Sequence, residues 1–314
     1  MTEELHEPVL CGVDIGGTKC AVTLSVPCED ELHFLGQEAF PTPGTPQAAL
    51  DRLLDAARRL VQAAGRAPDA VGVSCGGPLD SRRGLVLSPP NLPGWDVIDV
   101  LTPFRQAFGV PAALCNDANA CALAEWRWGA GRGSDTLVFL TFGTGMGSGL
   151  ILNGRLFEGA NGNAGEVGHL RLTDDGPEGY GKRGSFEGWC SGAGLARAAV
   201  EIEGFPAGIT AAKLAALAHA GDERALAVYR RCAHMLGRGL AVIVDLFNPD
   251  AIVIGSIYAR QTALLEPEMR RVLAAEALPE ALACCRVVPA ALGDTVGDYA
   301  AAGVALEALR TAQS

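Results

Sequence analysis

The sequence predicts an internally duplicated α/β protein, and three observations carry that prediction. Near the start, VLCGVDIGGTKCAVTLSV places alternating apolar residues on both sides of a Gly-Gly turn, the pattern of a β-hairpin. In mid-chain, DTLVFLTFGTGMGSGLILNGRL repeats the device: apolar strand, glycine-and-threonine turn, apolar return strand. Segments with helical spacing and further short apolar strands follow each of these restarts.

After the first hairpin, TPQAALDRLLDAARRLVQAAGR predicts a helix with Leu50, Leu53, Leu54, Ala57, Leu60, Val61 and Ala64 on one face. Thr45 is its expected N-cap, Pro46 opens the first turn and Gly65 ends it. AVGVSCGG reads as a buried strand ending in a glycine turn. Residues 79–98 read as loop, because Pro89, Pro90 and Pro93 exclude regular structure. VPAALCND is a short strand, and ANACALAEWRWGAG starts a helix directly after it. In the second half, helices are expected around 193–203, 210–220 and 223–246, then the strand AIVIG. GDYAAAGVALEALRTA is a small-residue helix able to pack on either half. The expected lobes are 1–120, completed by the C-terminal helix 298–314, and 121–297.

Hydrophobic residues make up 49% of the 314 and charged residues 19%, which excludes a disordered chain. The net charge of −11 argues against nucleic acid or an anionic membrane as main partner. No stretch approaches the roughly 20 apolar residues of a membrane-spanning helix. MTEELHEPVL lacks the basic-then-apolar pattern of a secretory signal. The ten cysteines are scattered, with no C-x-x-C pair, and read as free thiols of a reducing cytoplasm. Cys284 and Cys285, read as strand, would face opposite ways and so could not bridge each other.

Glycine turns let backbone N–H groups converge on one concavity without obstruction by Cβ, and such nests bind phosphate oxygens. Two of them in duplicated positions, with the hydroxyls of Thr18 and Thr144, point to a nucleotide. Neither fits the Walker pattern or the dinucleotide fingerprint, since no helix follows either turn. Asp14, at the end of a buried strand, either holds a hydrated Mg²⁺ shared with phosphates or caps its own turn. Asn116 and Asp117 stand where a strand meets a helix. They read as an N-cap, or Asp117 reads as a base that accepts a proton from a substrate hydroxyl and orients it for attack on phosphorus; the two roles are compatible. The stretch AGEVGHLRLTDDGPEGYGKRGSFEGWC, residues 164–190, reads as a metal site, a substrate site or a solvated excursion.

In order, VDIGGTKCAV, NLPGW, CNDANACALAEW, FGTGMGSGLILNGRLFEGANGNAGEVGH and NPDAIVIG resemble the ROK sugar kinases. The resemblance spans roughly residues 9–303. It implies two RNase H-like lobes of the actin-like ATPase kind around a cleft, an ATP-dependent hexose kinase and a homodimer. By position, Asp117 is the catalytic base, and Asn116, Glu166, His169 and Glu187 are sugar ligands, with Gly76 and Asn91 in the same pocket. Asp14 serves Mg²⁺ through water. Gly16, Gly17, Thr18, Lys19, Thr144, Gly145 and Gly147 face the nucleotide phosphates, and Gly255 lies near adenosine. The family's longer glycine run at that last point is replaced by Gly255–Ser256–Ile257.

Most family members follow EVGH with C-x-C-G-x-x-G-C-x-E, whose cysteines join the histidine on a structural zinc. Here Glu178, Tyr180 and Ser185 occupy the cysteine positions, so no zinc is expected. Burial of Tyr180, Phe186 and Trp189 is expected to order the loop, ahead of ion pairs of Lys182 or Arg183 with Glu178 or Asp175. Glucose is the first candidate substrate, then N-acetylmannosamine and fructose. ATP is the expected donor, with polyphosphate the alternative, although no basic channel is evident in the sequence. The reading from another class is a sugar-sensing regulator that retains the pocket. The repressors of the family carry an N-terminal winged helix, for which the position of Asp14 is expected to leave no room.

Overall fold

A computed structural model describes residues 7–313. Contacts divide the chain into two units. The first comprises Met1–Arg132, Glu158–Gly162 and Asp294–Ser314; the second comprises Gly133–Phe157 and Asn163–Gly293. The expected boundary at residue 120 would have cut a helix that lies whole in the first unit.

The first unit runs β1 (Leu10–Ile15), β2 (Lys19–Pro27), β3 (Leu32–Pro41), α1 (Pro46–Ala64) and β4 (Ala70–Cys75). Short strands β5 (Leu79–Asp80), β6 (Leu85–Leu87) and β7 (Asp96–Asp99) follow, then α2 (Thr102–Phe108), β8 (Ala112–Asn116) and α3 (Asp117–Trp128). Thr45 Oγ1 accepts from Ala48 N–H and Gly65 closes α1 in the left-handed conformation, as its residues dictate. The loop expected over 79–98 is corrected: β5, β6 and β7 form an antiparallel sheet there. The prolines occupy the connection between β6 and β7, where they remove no ladder hydrogen bond.

The second unit opens with β9 (Leu137–Leu140), β10 (Ser148–Leu152) and β11 (Arg155–Leu156). A small hairpin follows, β12 (Glu178–Gly179) with β13 (Lys182–Arg183), and then α4 (Phe186–Trp189) and α5 (Gly192–Glu201). Next come α6 (Ala211–His219), α7 (Glu223–Phe247), β14 (Ala251–Ile254) and α8 (Ile257–Arg260). The unit ends with α9 (Thr262–Glu276), α10 (Pro279–Cys284) and β15 (Arg286–Pro289). Cys284 closes α10 and Cys285 follows it, so the strand expected for that pair is also corrected.

Duplication is plain in the sheets, which run β3-β2-β1-β4-β8 and β11-β10-β9-β14-β15. In each, the first three strands are antiparallel neighbours and the last two add in parallel. Each unit has its own apolar core. The last helix, α11 (Val296–Gln313), packs on the first unit, and small residues explain how. A Cβ at Gly72 would lie 2.2 Å from both Ala301 O and Ala305 N. One at Gly12 would lie 2.9 Å from Ala301 Cβ. Helix backbone thus rests directly on strand backbone, which bulkier residues would prevent.

Candidate active site

In the first unit, parallel pairing of β4 with β8 sets Cys75 opposite Asn116, so both strands end at one level. Gly76 and Gly77 therefore leave the sheet beside Asn116 and Asp117. The Ala118 N–H donates to Asn116 Oδ1 (3.0 Å) and to Asp117 Oδ1 (2.8 Å), so both side chains cap α3. The other Asp117 oxygen faces elsewhere. A Cβ at Gly76 would stand 3.8 Å from Asp117 Oδ2 and 3.7 Å from both amide atoms of Asn91. One arrangement thus lets Asp117 cap α3 and approach Gly76 at once. Part of Asp117 is open to solvent, yet burial among surrounding atoms raises its pKa, against the lowering effect of the Ala118 N–H.

Asp14 is the penultimate residue of β1, and its pKa is pushed up to about 7. Burial is the largest cause, followed by the negative charges of Asp117 and Asp298, with Lys19 opposing. Asp298 sits in the first turn of α11, where Gln37 Nε2 donates to both its oxygens at 2.8 Å. It is a residue the sequence reading missed. Only the return of α11 to β1 brings it near Asp14: a Cβ at Gly297 would lie 3.5 Å from Asp14 Oδ2.

The first glycine turn is closed by Gly16 N–H donating to Lys19 O (3.1 Å). Thr42 secures it, with its hydroxyl on Gly16 O (2.6 Å) and its N–H on Thr18 O (3.0 Å). Among the described residues, the N–H groups of Gly17 and Thr18 have no partner. Thr18 and Lys19 are exposed.

The second turn is built alike. Gly143 N–H donates to Gly145 O (3.1 Å), and the next two N–H groups, of Thr144 and Gly145, have no partner among the described residues. Gly147, expected to face phosphates with them, has its N–H taken by Thr141 Oγ1 at 2.9 Å. Its amide belongs to the turn's own frame. The first N–H groups of α5, from Gly192 and Ala193, donate to Gly143 O (2.8 Å) and Thr144 O (3.1 Å). A recess of about 860 Å³ opens beside this junction, lined by α5, α6, α8 and the 143–144 backbone. Ile257, Arg260 and Gln261 face it, whereas Gly255 is buried with its N–H on Leu140 O (2.9 Å). The sequence reading named Gly255 and missed this lining, because a helix face shows in sequence without showing what it faces.

Glu166 precedes a single 3₁₀ turn, Val167–His169, and both Glu166 and His169 are exposed. Glu187 lies on α4, and its Oε2 accepts the Met146 N–H at 2.9 Å.

A match to the ROK family spans residues 10–308. The chain belongs to the ROK family. A glucokinase of Streptomyces coelicolor is 34% identical over 262 residues, covering 78% of this chain and 80% of that protein. An N-acetylmannosamine kinase of Citrobacter koseri is 33% identical over 244 residues, covering 77% and 81%. Among solved structures, a ROK hexokinase from Thermus thermophilus has a TM-score of 0.84 at 32% identity, covering 96% and 99%. A ROK glucokinase from Streptomyces griseus, in complex with glucose and AMPPNP, has a TM-score of 0.73 at 31% identity, covering 95% and 99%. The sugar-kinase reading of the sequence and its duplicated, two-lobe α/β fold class are borne out.

The ROK loop after His169 has a donor set that does not fit structural zinc. Tyr180 is 74% exposed, and the buried Ser185 hydroxyl is engaged with Gly179 O (3.2 Å) and Gly188 N–H (3.0 Å). One imidazole and exposed Glu178 remain, short of the four N or S ligands such a site needs. Burial of Tyr180 is corrected: it stands at positive φ in the β12–β13 turn, edge-on to the His169 ring at 6.0 Å. Phe186 and Trp189 are buried, and Trp189 Nε1 donates to Thr173 Oγ1 at 2.8 Å. Arg183 and Asp175 pair at 2.7 Å with both side chains more than half exposed.

Proposed function

We propose that this ROK protein is an ATP-dependent hexose kinase that transfers the γ-phosphoryl group to a sugar hydroxyl, glucose 6-OH being the first candidate. N-acetylmannosamine and fructose follow. The arrangement of Asp117 carries the reading: it caps α3 through Oδ1, while Oδ2 and the Asn91 side-chain amide both lie close to where a Cβ at Gly76 would stand. A carboxylate so fixed accepts the proton of an attacking hydroxyl and orients its oxygen for in-line displacement. Asn116, Asn91, Glu166, His169 and Glu187 are the proposed hydroxyl ligands. The unpaired amides of Gly17, Thr18, Thr144 and Gly145 receive phosphate oxygens, and the nucleoside enters the 860 Å³ recess, a size suited to it.

Asp14 fits the proposed magnesium role. A carboxylate whose pKa is pushed to about 7 beside two other carboxylates is relieved by a divalent cation. Bound through water, as proposed, the ion would keep most of its own ligands as waters. When bound it balances phosphate charge. Structural zinc has no place in the proposal.

The assembly proposed is a homodimer, which sedimentation velocity reads directly. The proposed location is the cytoplasm, in keeping with ten free cysteines. Among the described residues no helix is long and apolar enough to cross a membrane.

ADP release measured across a hexose panel tests the reading. Asp117→Asn is expected to lower turnover about 10²–10⁴-fold while sparing sugar binding. Sugar binding without ADP release would replace the kinase with a sugar-sensing regulator. Hydrolysis indifferent to sugar would replace it with an ATPase of another kind.

A further inference from the structure

Glu187 has one carboxylate and two demands on it. Its Oε2 accepts the Met146 N–H at 2.9 Å, inside the second glycine turn, while Oε1 has no partner among the described residues. The fit is close. A Cβ at Gly145 would lie 2.8 Å from Oε2. A Cβ at Gly168, between Glu166 and His169, would lie 2.3 Å from Met146 O and 3.5 Å from Glu187 Cβ. Met146 thus has its N–H held by Glu187, while its carbonyl oxygen lies close against Gly168 of the Glu166–His169 segment. At the other end of the turn, Gly192 and Ala193 hold the Gly143 and Thr144 carbonyls. The two unpaired amides, of Thr144 and Gly145, sit between these anchors.

We propose that Glu187 is a positioning residue for the phosphate turn as well as a sugar ligand, so that one carboxylate links sugar occupancy to nucleotide affinity. This rests on the kinase reading above. A sugar hydroxyl on Oε1 fixes the carboxylate's rotation, and a fixed Oε2 holds the Met146 peptide and presents the two free amides already aligned. Preorganised donors bind phosphate more tightly than donors that must first be ordered. Linkage is reciprocal, so nucleotide tightens sugar by the same factor.

Calorimetric titration with AMPPNP and with adenosine, in the absence of sugar, tests the positioning role. Glu187→Asp keeps the charge but is one methylene too short to reach the Met146 N–H. Glu187→Gln keeps an acceptor for it and loses the charge. The expected result is AMPPNP affinity reduced about tenfold in E187D and within about twofold of wild type in E187Q, with adenosine affinity unchanged in both. Equal AMPPNP affinity in wild type and E187D overturns the proposal. So does tighter binding in E187Q alone, which would make the carboxylate a repulsive neighbour of phosphate. Parallel loss of adenosine affinity also overturns it, since that marks general damage to the unit. Failure of AMPPNP to bind the wild-type protein overturns the kinase reading itself, a separate result. With D-glucose at saturation, AMPPNP affinity is expected to rise in wild type and stay flat in E187D.

Discussion

The two glycine turns are the same device built with different neighbours. In each, the first N–H folds back on the turn and the next two have no partner among the described residues. The first turn is hemmed in by main chain: a Cβ at Gly17 would lie 2.4 Å from the Asn91 carbonyl oxygen. The second is hemmed in by a side-chain tip, Glu187 Oε2, 2.8 Å from a Cβ at Gly145. Backbone cannot yield without moving its own loop, whereas a carboxylate can swing aside. One turn is rigid by construction, and the other is adjustable by whatever holds Glu187.

That contrast predicts unequal costs for the same small change. Gly17→Ala has to displace the loop that carries Asn91, and a shift of about 1 Å in a reacting group costs on the order of 10²-fold. A loss of about 10²–10³-fold in kcat/KM is expected. Gly145→Ala pushes the Glu187 carboxylate away and forfeits its bond to Met146, for a loss of about tenfold, close to the effect of one hydrogen bond. Steady-state kinetics on the two variants checks the ratio. Equal losses would break the contrast and mean that the turns are held alike.

Much of this was legible in sequence because it is local. Thr45, Pro46 and Gly65 mark the ends of α1 within a few residues of where their effect is felt. The period-2 runs around both glycine turns fix the hairpins, and Asn116–Asp117 announces a helix start. What stayed hidden depends on residues far apart in the chain. Asp298 meets Asp14 only because Gly12 and Gly72 let α11 lie on the sheet. Glu187 meets Met146 across 41 positions. The recess wall needs α5, α6 and α8 packed together. The strands within 79–98 were missed because prolines signal breaks without showing that short ladders stand on either side.

Each turn has a carboxylate beside it, and at the first its titration is displaced. The first has Asp14 next to it, whose folded-state pKa is about 7 against an ordinary 3.8. A group with a raised acid pKa binds its proton more tightly when folded, so stability is lost as pH climbs through about 4 to 7 and stays lost above. Asp14→Asn removes that penalty. Discounted for its partial exposure, the gain is about 1–3 kcal/mol at pH 8 without divalent cations. Thermal melts in chelator at pH 8 and pH 4 check it: the variant should melt higher at pH 8 and match wild type at pH 4. An unchanged melting temperature at pH 8 would mean that Asp14 is better solvated than its surroundings imply.

The segment that presents Glu187 to the second turn gives the smallest effects, and they sharpen what holds it. Trp189→Phe keeps the buried ring and deletes the Nε1–Thr173 bond, a loss of about 1 kcal/mol. Arg183→Ala deletes ion pairs to Asp175 and Glu201, all groups that water already reaches, so the melting temperature is expected to stay where it is. Hydrogen exchange separates the two most directly. Amides of 170–190 should exchange faster in W189F, where the tie from α4 to Thr173 is cut, and at wild-type rates in R183A. If R183A alone speeds exchange, the segment is held by its surface charges. The adjustable turn would then depend on ionic strength, and 0.5 M salt should weaken nucleotide binding in the wild-type protein beyond ordinary screening of phosphate charge.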